Sequence, residues 1–219
     1  MLKANFITAQ EAAEKIQDGS TLCTIGMTLV SASESILKAI EKRFETVGHP
    51  ANITLVHSCG QSDRKDGIQH LAHEGLVKRI IGSHWGLQPR WMEMIANSQV
   101  EAYCLPQGQI AQLYRSMACG LPGKMSKVGL GTFIDPRVEG GKMNDRTKPL
   151  PDIVDILEYS GEEYMFYKEI PLDTVLIRGT VCDEMGNLTT TEEAMKLEVL
   201  PAVLAAKRYG GRVIAQVKQ

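Results

Sequence analysis

Apolar positions along the chain switch between two periods. Ala12, Ala13 and Ile16 recur at helical spacing behind Thr8-Ala9-Gln10-Glu11. That tetrapeptide is a capping box: the threonine hydroxyl takes the third helical N–H and the glutamate reaches back to the cap. Asp18-Gly19 ends the helix. Thr21 to Ile25 reads as a buried strand, stopped by Gly26. Ser31-Ala32-Ser33-Glu34 is a second capping box. Ile36, Leu37, Ile40 and Phe44 follow at spacings of three and four, which predicts a helix to about Thr46. His49-Pro50-Ala51-Asn52 breaks the chain before a strand from Ile53 to His57.

The same alternation continues. Ser58 to Gly67 is a polar loop, Ile68 to Glu74 a helical turn and Val77 to Ser83 a strand. Pro89 suits the first turn of a helix carrying Trp91, Met92, Met94 and Ile95. Val100 to Leu105 reads as a strand, Pro106-Gln107-Gly108 as a turn and Ile110 to Ala118 as a helix. Gly120 to Gly141 is rich in glycine and reads as loop. Ile153 to Glu158, Tyr164 to Tyr167 and Thr174 to Arg178 read as strands, Glu184 to Asn187 as a turn, Glu198 to Arg208 as a helix and Val213 to Val217 as a closing strand. Strands separated by helices, and apolar on both faces, predict an α/β fold of three layers: a mostly parallel sheet with helices on both faces. In such sheets ligands bind at loops following the carboxyl ends of the strands. Here those loops are Gly26 to Ser33, Ser58 to Gly67, His84 to Pro89 and Pro106 to Gln109.

Composition narrows the function classes. The 219 residues are 43% apolar and 23% charged, which suits one globular domain, residues 1–219. The longest apolar run, Val199 to Ala206, is broken by Pro201 and is too short for a membrane span. Twenty-four Lys+Arg against 26 Asp+Glu leave no basic stripe, and aromatics are 5%, so neither a membrane nor a nucleic acid is an expected partner. Charges at Lys3, Glu11, Glu14 and Lys15 interrupt any targeting segment. Five scattered cysteines without a C-x-x-C pair suggest free thiols, a cytoplasmic location and no metal site.

Several constellations have bland readings beside their chemical ones. The Gly26 to Ser33 loop before a capped helix suits an anion, although it holds a single glycine. Gly129-Leu130-Gly131-Thr132 and Glu139-Gly140-Gly141-Lys142 lack P-loop spacing. His70 and His73 share a helical face, yet ordinary hydrogen-bonded histidines explain them without a metal. Gln107, just beyond a predicted strand, offers amide donors at the mouth of the sheet.

Taken in order, several stretches resemble the family I coenzyme A transferases, in particular the fused acetate/propionate branch. They are Asp63-Arg64 between Gly60 and Gly67, Ala72 to Arg79, Gly82-Ser83-His84-Trp85, Tyr103 with Pro106-Gln107-Gly108, Val128 to Arg137, Gly140 to Asn144, Glu163 to Tyr167, Ile177 to Thr180 and Asp183 to Asn187. The resemblance implies transfer of CoA from an acyl-CoA to a short-chain carboxylic acid by ping-pong chemistry through a glutamyl-CoA thioester. Coenzyme A is then a substrate, and no cofactor is implied. Gln107 with Gly108, Ser58-Cys59-Gly60 and Gly26 are the positions that would support substrate or oxyanion. The family nucleophile lies in a Glu-x-Gly-x-x-Gly context, and no glutamate here meets it in full. The sequence is therefore expected to be an amino-terminal half, inactive alone, that needs a carboxyl-terminal half or second subunit and assembles as a homo-oligomer. The competing reading is a non-catalytic acyl-CoA- or carboxylate-binding domain.

Overall fold

The computed structural model describes residues 3–218. The first capping box forms as its sequence demands. The Glu11 N–H donates to the Thr8 hydroxyl at 3.2 Å and the Thr8 N–H to the Glu11 carboxylate at 2.7 Å, opening helix α1 (Ala9–Glu14). The front half then runs β1 (Thr21–Thr24), α2 (Glu34–Val47), β2 (Ile53–Val56), a 3₁₀ turn (Gly67–Leu71), β3 (Val77–Gly82), α3 (Pro89–Ala96), β4 (Glu101–Cys104) and α4 (Gln107–Ala118). The rear half holds β5 (Gly123–Ser126), β6 (Val154–Tyr159), β7 (Glu162–Lys168), β8 (Thr174–Arg178), α5 (Val199–Arg208) and β9 (Arg212–Gln216).

Among the described residues, six strands make one sheet in the order β4-β3-β2-β1-β8-β9, with every neighbouring pair parallel. Successive residues of a strand point to opposite faces, and both sets here are apolar. Leu22, Leu55 and Ile80 pack with α1, α2, α3 and the 3₁₀ turn, whereas Cys23, Val56 and Ile81 pack with α4 and α5. This is the expected three-layer α/β arrangement. A second, antiparallel sheet, β5-β7-β6, adds Val154, Met165 and Tyr167 to the α4/α5 side of the core.

Three local expectations are corrected. Ser31 does not cap α2. Its backbone sits at φ 57° and its hydroxyl donates to the Met195 carbonyl at 3.1 Å; the cap residue is Ser33, whose hydroxyl goes to the Ile177 carbonyl at 2.8 Å. Both serines serve tertiary contacts that local pattern does not show. The Pro106-Gln107-Gly108 turn is the start of α4: Pro106 is the cap and Gln107 the first helical residue. The glycine-rich span contains β5, whose short Gly-Lys-Met-Ser sequence has no apolar alternation and is held in place by pairing with β7.

Winding runs outward from β1 through β2 and β3 to β4, and in the other direction through β8 to β9. The order therefore reverses between β1 and β8, and in open α/β sheets ligands bind at such a reversal, outside the carboxyl ends of the strands.

Candidate active site at the carboxyl ends of the strands

The loop after β1 folds back on itself. Met27 and Val30 exchange N–H···O=C bonds of 3.0 and 2.9 Å, with Thr28 between them at φ 53°. The Thr28 N–H donates to the Gly60 carbonyl at 2.9 Å, which ties this loop to the one after β2. Gln61 completes the junction. Its amide Nε2 donates to the Thr24 carbonyl and hydroxyl at 2.9 and 3.0 Å, and its Oε1 would lie 3.1 Å from a Cβ placed on Gly26. Gly26, Ser58, Cys59 and Gly60, read from sequence as separate loop residues, are thus one buried unit.

Beneath this unit lies His57, fully buried, a residue that sequence periodicity assigns only to the end of a strand. Its Nδ1 is 2.9 Å from the Cys59 carbonyl. A carbonyl only accepts, so Nδ1 carries the proton and the neutral ring presents Nε2 as an acceptor. Desolvation holds the imidazole neutral, lowering its pKa to about 4; a backbone bond opposes this and nearby His84 assists it. Nε2 has no partner among the described residues, nor do the buried Ser83 hydroxyl, the Trp85 indole N–H and the Gln88 amide. Trp85 meets His57 edge-on, with ring centroids 6.2 Å apart. Gly60 lets these side chains close in, since a Cβ there would sit 2.5 Å from Gln88 Nε2 and 2.7 Å from His84 Cε1 and would force them to move.

Gln107 and Gly108 lie elsewhere along the same edge. They follow β4, two strands from β2, or about 10 Å at ordinary strand spacing. Both are exposed. The Gln109 and Ile110 N–H groups turn back to the Pro106 carbonyl at 2.9 and 3.1 Å. The N–H groups of Gln107 and Gly108 have no intrahelical acceptor, and they point with the positive end of the α4 dipole. A Cβ on Gly108 would meet nothing within 4 Å, so packing does not require glycine there.

A carboxylate that sequence spacing did not single out also reaches this end of the sheet. Glu198 caps α5 with no side-chain cap bond, and its Oε2 is buried with no partner among the described residues. Burial raises the thiol pKa of Cys59, and the Glu198 carboxylate raises it further. Cys23 is pushed up to about 12 by burial, with Glu198 again adding to the rise. Both thiols stay protonated at neutral pH and are poor nucleophiles. The signal for Glu198 is its neighbourhood across 139 residues from Cys59, which no local motif encodes.

One acid–histidine cluster lies beside these loops at the start of α2, a second lies further along that helix, and a hollow lies at the far end of the sheet. Glu34, Asp66 and His70 are close enough to share an ion, as are Glu41, Glu45 and His73. Cationic side chains already reach these acids: Lys38 stands 3.1 Å from Glu34 and 3.2 Å from Asp66, and Arg90 3.3 Å from Glu41. His70 bridges Glu34 and Glu41, a hydrogen-bonded role of the kind its sequence context suggests. An open hollow of about 380 Å³ is lined by Gly120, Pro122, Glu169, Arg208 and Tyr209. It sits where α4 and α5 end, opposite the strand carboxyl ends.

With this geometry in hand, comparison with known proteins is decisive. The family model for coenzyme A transferase matches residues 6–218. The chain belongs to the coenzyme A transferase family. The caffeate CoA-transferase of Acetobacterium woodii is 44% identical over 216 residues, 98% of this chain and 41% of that protein. The acetate CoA-transferase YdiF of Escherichia coli K12 is 38% identical over 97% of this chain and 40% of its own length. A crystal structure of the acyl-CoA transferase YdiF from E. coli O157:H7, a thioester complex with CoA, superposes with a TM-score of 0.93 at 37% identity. It covers 96% of this chain and 41% of that one. This coenzyme A transferase chain therefore spans about two fifths of the length of these relatives. Among its described residues, no helix is long and apolar enough to cross a membrane.

Proposed function

We propose that this chain is the amino-terminal half of an acyl-CoA:carboxylate CoA-transferase, and that it works with a carboxyl-terminal half or second subunit as a cytoplasmic oligomer. The observation that carries this reading is the match over nearly the whole chain to two fifths of longer transferases. It is joined by the lack of a complete Glu-x-Gly-x-x-Gly segment in the sequence. The complementary half supplies the nucleophilic glutamate. Its carboxylate attacks the acyl thioester carbonyl, the tetrahedral oxyanion collapses, and CoA leaves as thiolate. The thiolate then attacks the glutamyl carbonyl of the mixed anhydride, giving glutamyl-CoA and the free acid. An acceptor carboxylate reverses these steps with its own acyl group.

In this scheme the present chain contributes surroundings. The Gln107 side chain and the open N–H groups of Gln107 and Gly108 face developing negative charge at the positive end of α4. The Gly26 and Ser58-Cys59-Gly60 loops form the neighbouring wall, with coenzyme A as substrate and no cofactor. The test is CoA exchange between acetyl-CoA and propionate. The isolated chain is expected to show none, and addition of the complementary half should restore it. Turnover by the isolated chain overturns the reading. Saturable acetyl-CoA binding by the chain, with no exchange in either form, would favour a non-catalytic binding domain.

A further inference from the structure

We infer that His57 is a positioning residue of the transfer site: its Nδ1–H fixes the Cys59 carbonyl and so holds the Gly60 backbone against the Gly26 loop. The inference rests on the reading of this edge as the transfer site. Four observations converge on it. The bond from Nδ1 to the Cys59 carbonyl is 2.9 Å long and closes a turn only two residues wide. The carbonyl of the next residue, Gly60, receives the Thr28 N–H at 2.9 Å, so orientation set at Cys59 passes to the loop after β1. The imidazole is immobilised from outside the turn. Its own backbone N–H donates to the Ile81 carbonyl at 3.0 Å, and Trp85 closes one edge of the ring. Gly82 on β3 leaves the space the ring fills, since a Cβ there would fall well inside van der Waals contact of the imidazole. One ring thereby sets three strand-end loops against one another, those after β1, β2 and β3.

The device suits a ring that does not titrate at working pH. Among the described residues no carboxylate bonds this ring, so an imidazolium here would be an uncompensated buried charge, and the neutral tautomer keeps the donor at Nδ1 at neutral pH. His57 acts through the Cys59 and Gly60 backbone and need not touch substrate.

Two substitutions separate this role from simple core packing. Asparagine places an amide N–H near the position of Nδ1, whereas glutamine carries its N–H a methylene further, near Nε2. Both are polar, and both fit within the volume of histidine. Hydrogen exchange of the Thr28 amide, read by NMR on the chain, reports whether the two loops stay joined. With His57→Asn, Thr28 protection should stay within about threefold of the parent. With His57→Gln it should fall at least about tenfold while amides in the β2 and β3 ladders keep theirs. In the transferase reconstituted with its complementary half, kcat per folded molecule should fall roughly 10- to 100-fold in His57→Gln and be largely rescued in His57→Asn.

Equal behaviour of Asn and Gln in both measurements overturns the inference, as does unchanged Thr28 protection in His57→Gln. A structural role alone would lower the folded fraction of the two variants without separating them. Should the parent transferase show no CoA exchange at all, the functional reading fails, while Thr28 exchange still decides whether His57 holds the loops. A neutral Nδ1–H tautomer is directly visible in the ¹⁵N shifts of the ring, and an Nε2–H tautomer would contradict the bond on which the inference stands.

Discussion

At the residue scale, the chemistry of this edge depends on which positions tolerate a side chain. Gly82 and Gly108 make the contrast. A Cβ on Gly82 collides with the buried His57 ring, while one on Gly108 meets open space. Gly82→Ala is expected to cost about 1–3 kcal/mol in urea denaturation through overpacking. Gly108→Ala should leave stability unchanged within about 0.5 kcal/mol. A tolerated Gly82→Ala would mean that the ring is not pinned. His57 also has a pH signature. Its folded pKa of about 4 lies below the ordinary 6.5, so between these values the unfolded chain binds a proton that the folded chain refuses. Stability from this group is therefore full above pH 6.5 and falls as pH drops toward 4, by at most about 3 kcal/mol. Urea midpoints measured from pH 7 to 4 should show that slope, and His57→Asn should flatten it. Asp135, held low chiefly by Arg137, loses its contribution only below the ordinary carboxylate range, so the two windows separate. Neither Glu198 nor the role of His57 was legible in sequence. Their importance comes from burial against segments 24 to 139 residues away, whereas Gly26, Gln107 and the Ser58 turn were visible because they follow apolar strands directly.

At the scale of elements, most of the parallel sheet was legible because its strands are apolar on both faces and are bounded by glycine, proline or a cap. What local pattern missed was set by partners. β5 exists through β7, and Ser31 was drawn from its capping place by the Met195 carbonyl. The start of α4 reads as a turn because Pro106 and Gly108 are both turn formers; Pro106 holds the extended cap conformation, and its carbonyl takes the first helical N–H groups. The β3–β4 pairing carries a prediction of its own. Arg79 and Glu101 face each other in register, with Arg79 Nε 2.7 Å from a carboxylate that is 5% exposed. Arg79 also lies over the Tyr103 ring at 5.6 Å. Arg79→Met leaves Glu101 with Lys78 alone, at 3.9 Å. It should cost about 2 kcal/mol, reduced from the fully buried case because Arg79 is partly exposed. Arg79→Met with Glu101→Leu should recover most of that loss. If the single and double variants are equally unstable in urea, the ion pair is not what joins these strands.

At the scale of the whole molecule, two clean apolar cores coexist with large apolar side chains left in solvent. Leu200 and Leu204 stand one turn apart on α5 and are 67% and 49% exposed, while Pro201, Ala202, Ala205 and Ala206 on the other side of the same helix are buried. A helix covered on one face does not need leucines on the other, and a pair at i and i+4 forms a continuous apolar strip. Single exposed leucines are ordinary on protein surfaces, but an adjacent pair on a helix already covered by the core suits a surface that another chain segment buries. The α5 strip lies on the helix whose amino end carries Glu198, so whatever covers it also approaches the strand-end loops. The isolated chain is therefore expected to self-associate, with an apparent mass by light scattering that rises with concentration. Leu200→Lys with Leu204→Glu should return it toward a monomer without lowering its thermal midpoint, because neither side chain is part of the core. If the strip is where the complementary half seats, the same double variant should also weaken reconstitution, raising the concentration of that half needed for half-maximal CoA exchange by tenfold or more, about 1.4 kcal/mol. Unchanged self-association in the variant would show that the strip joins nothing. Lost self-association with normal reconstitution would place the other half on a different face.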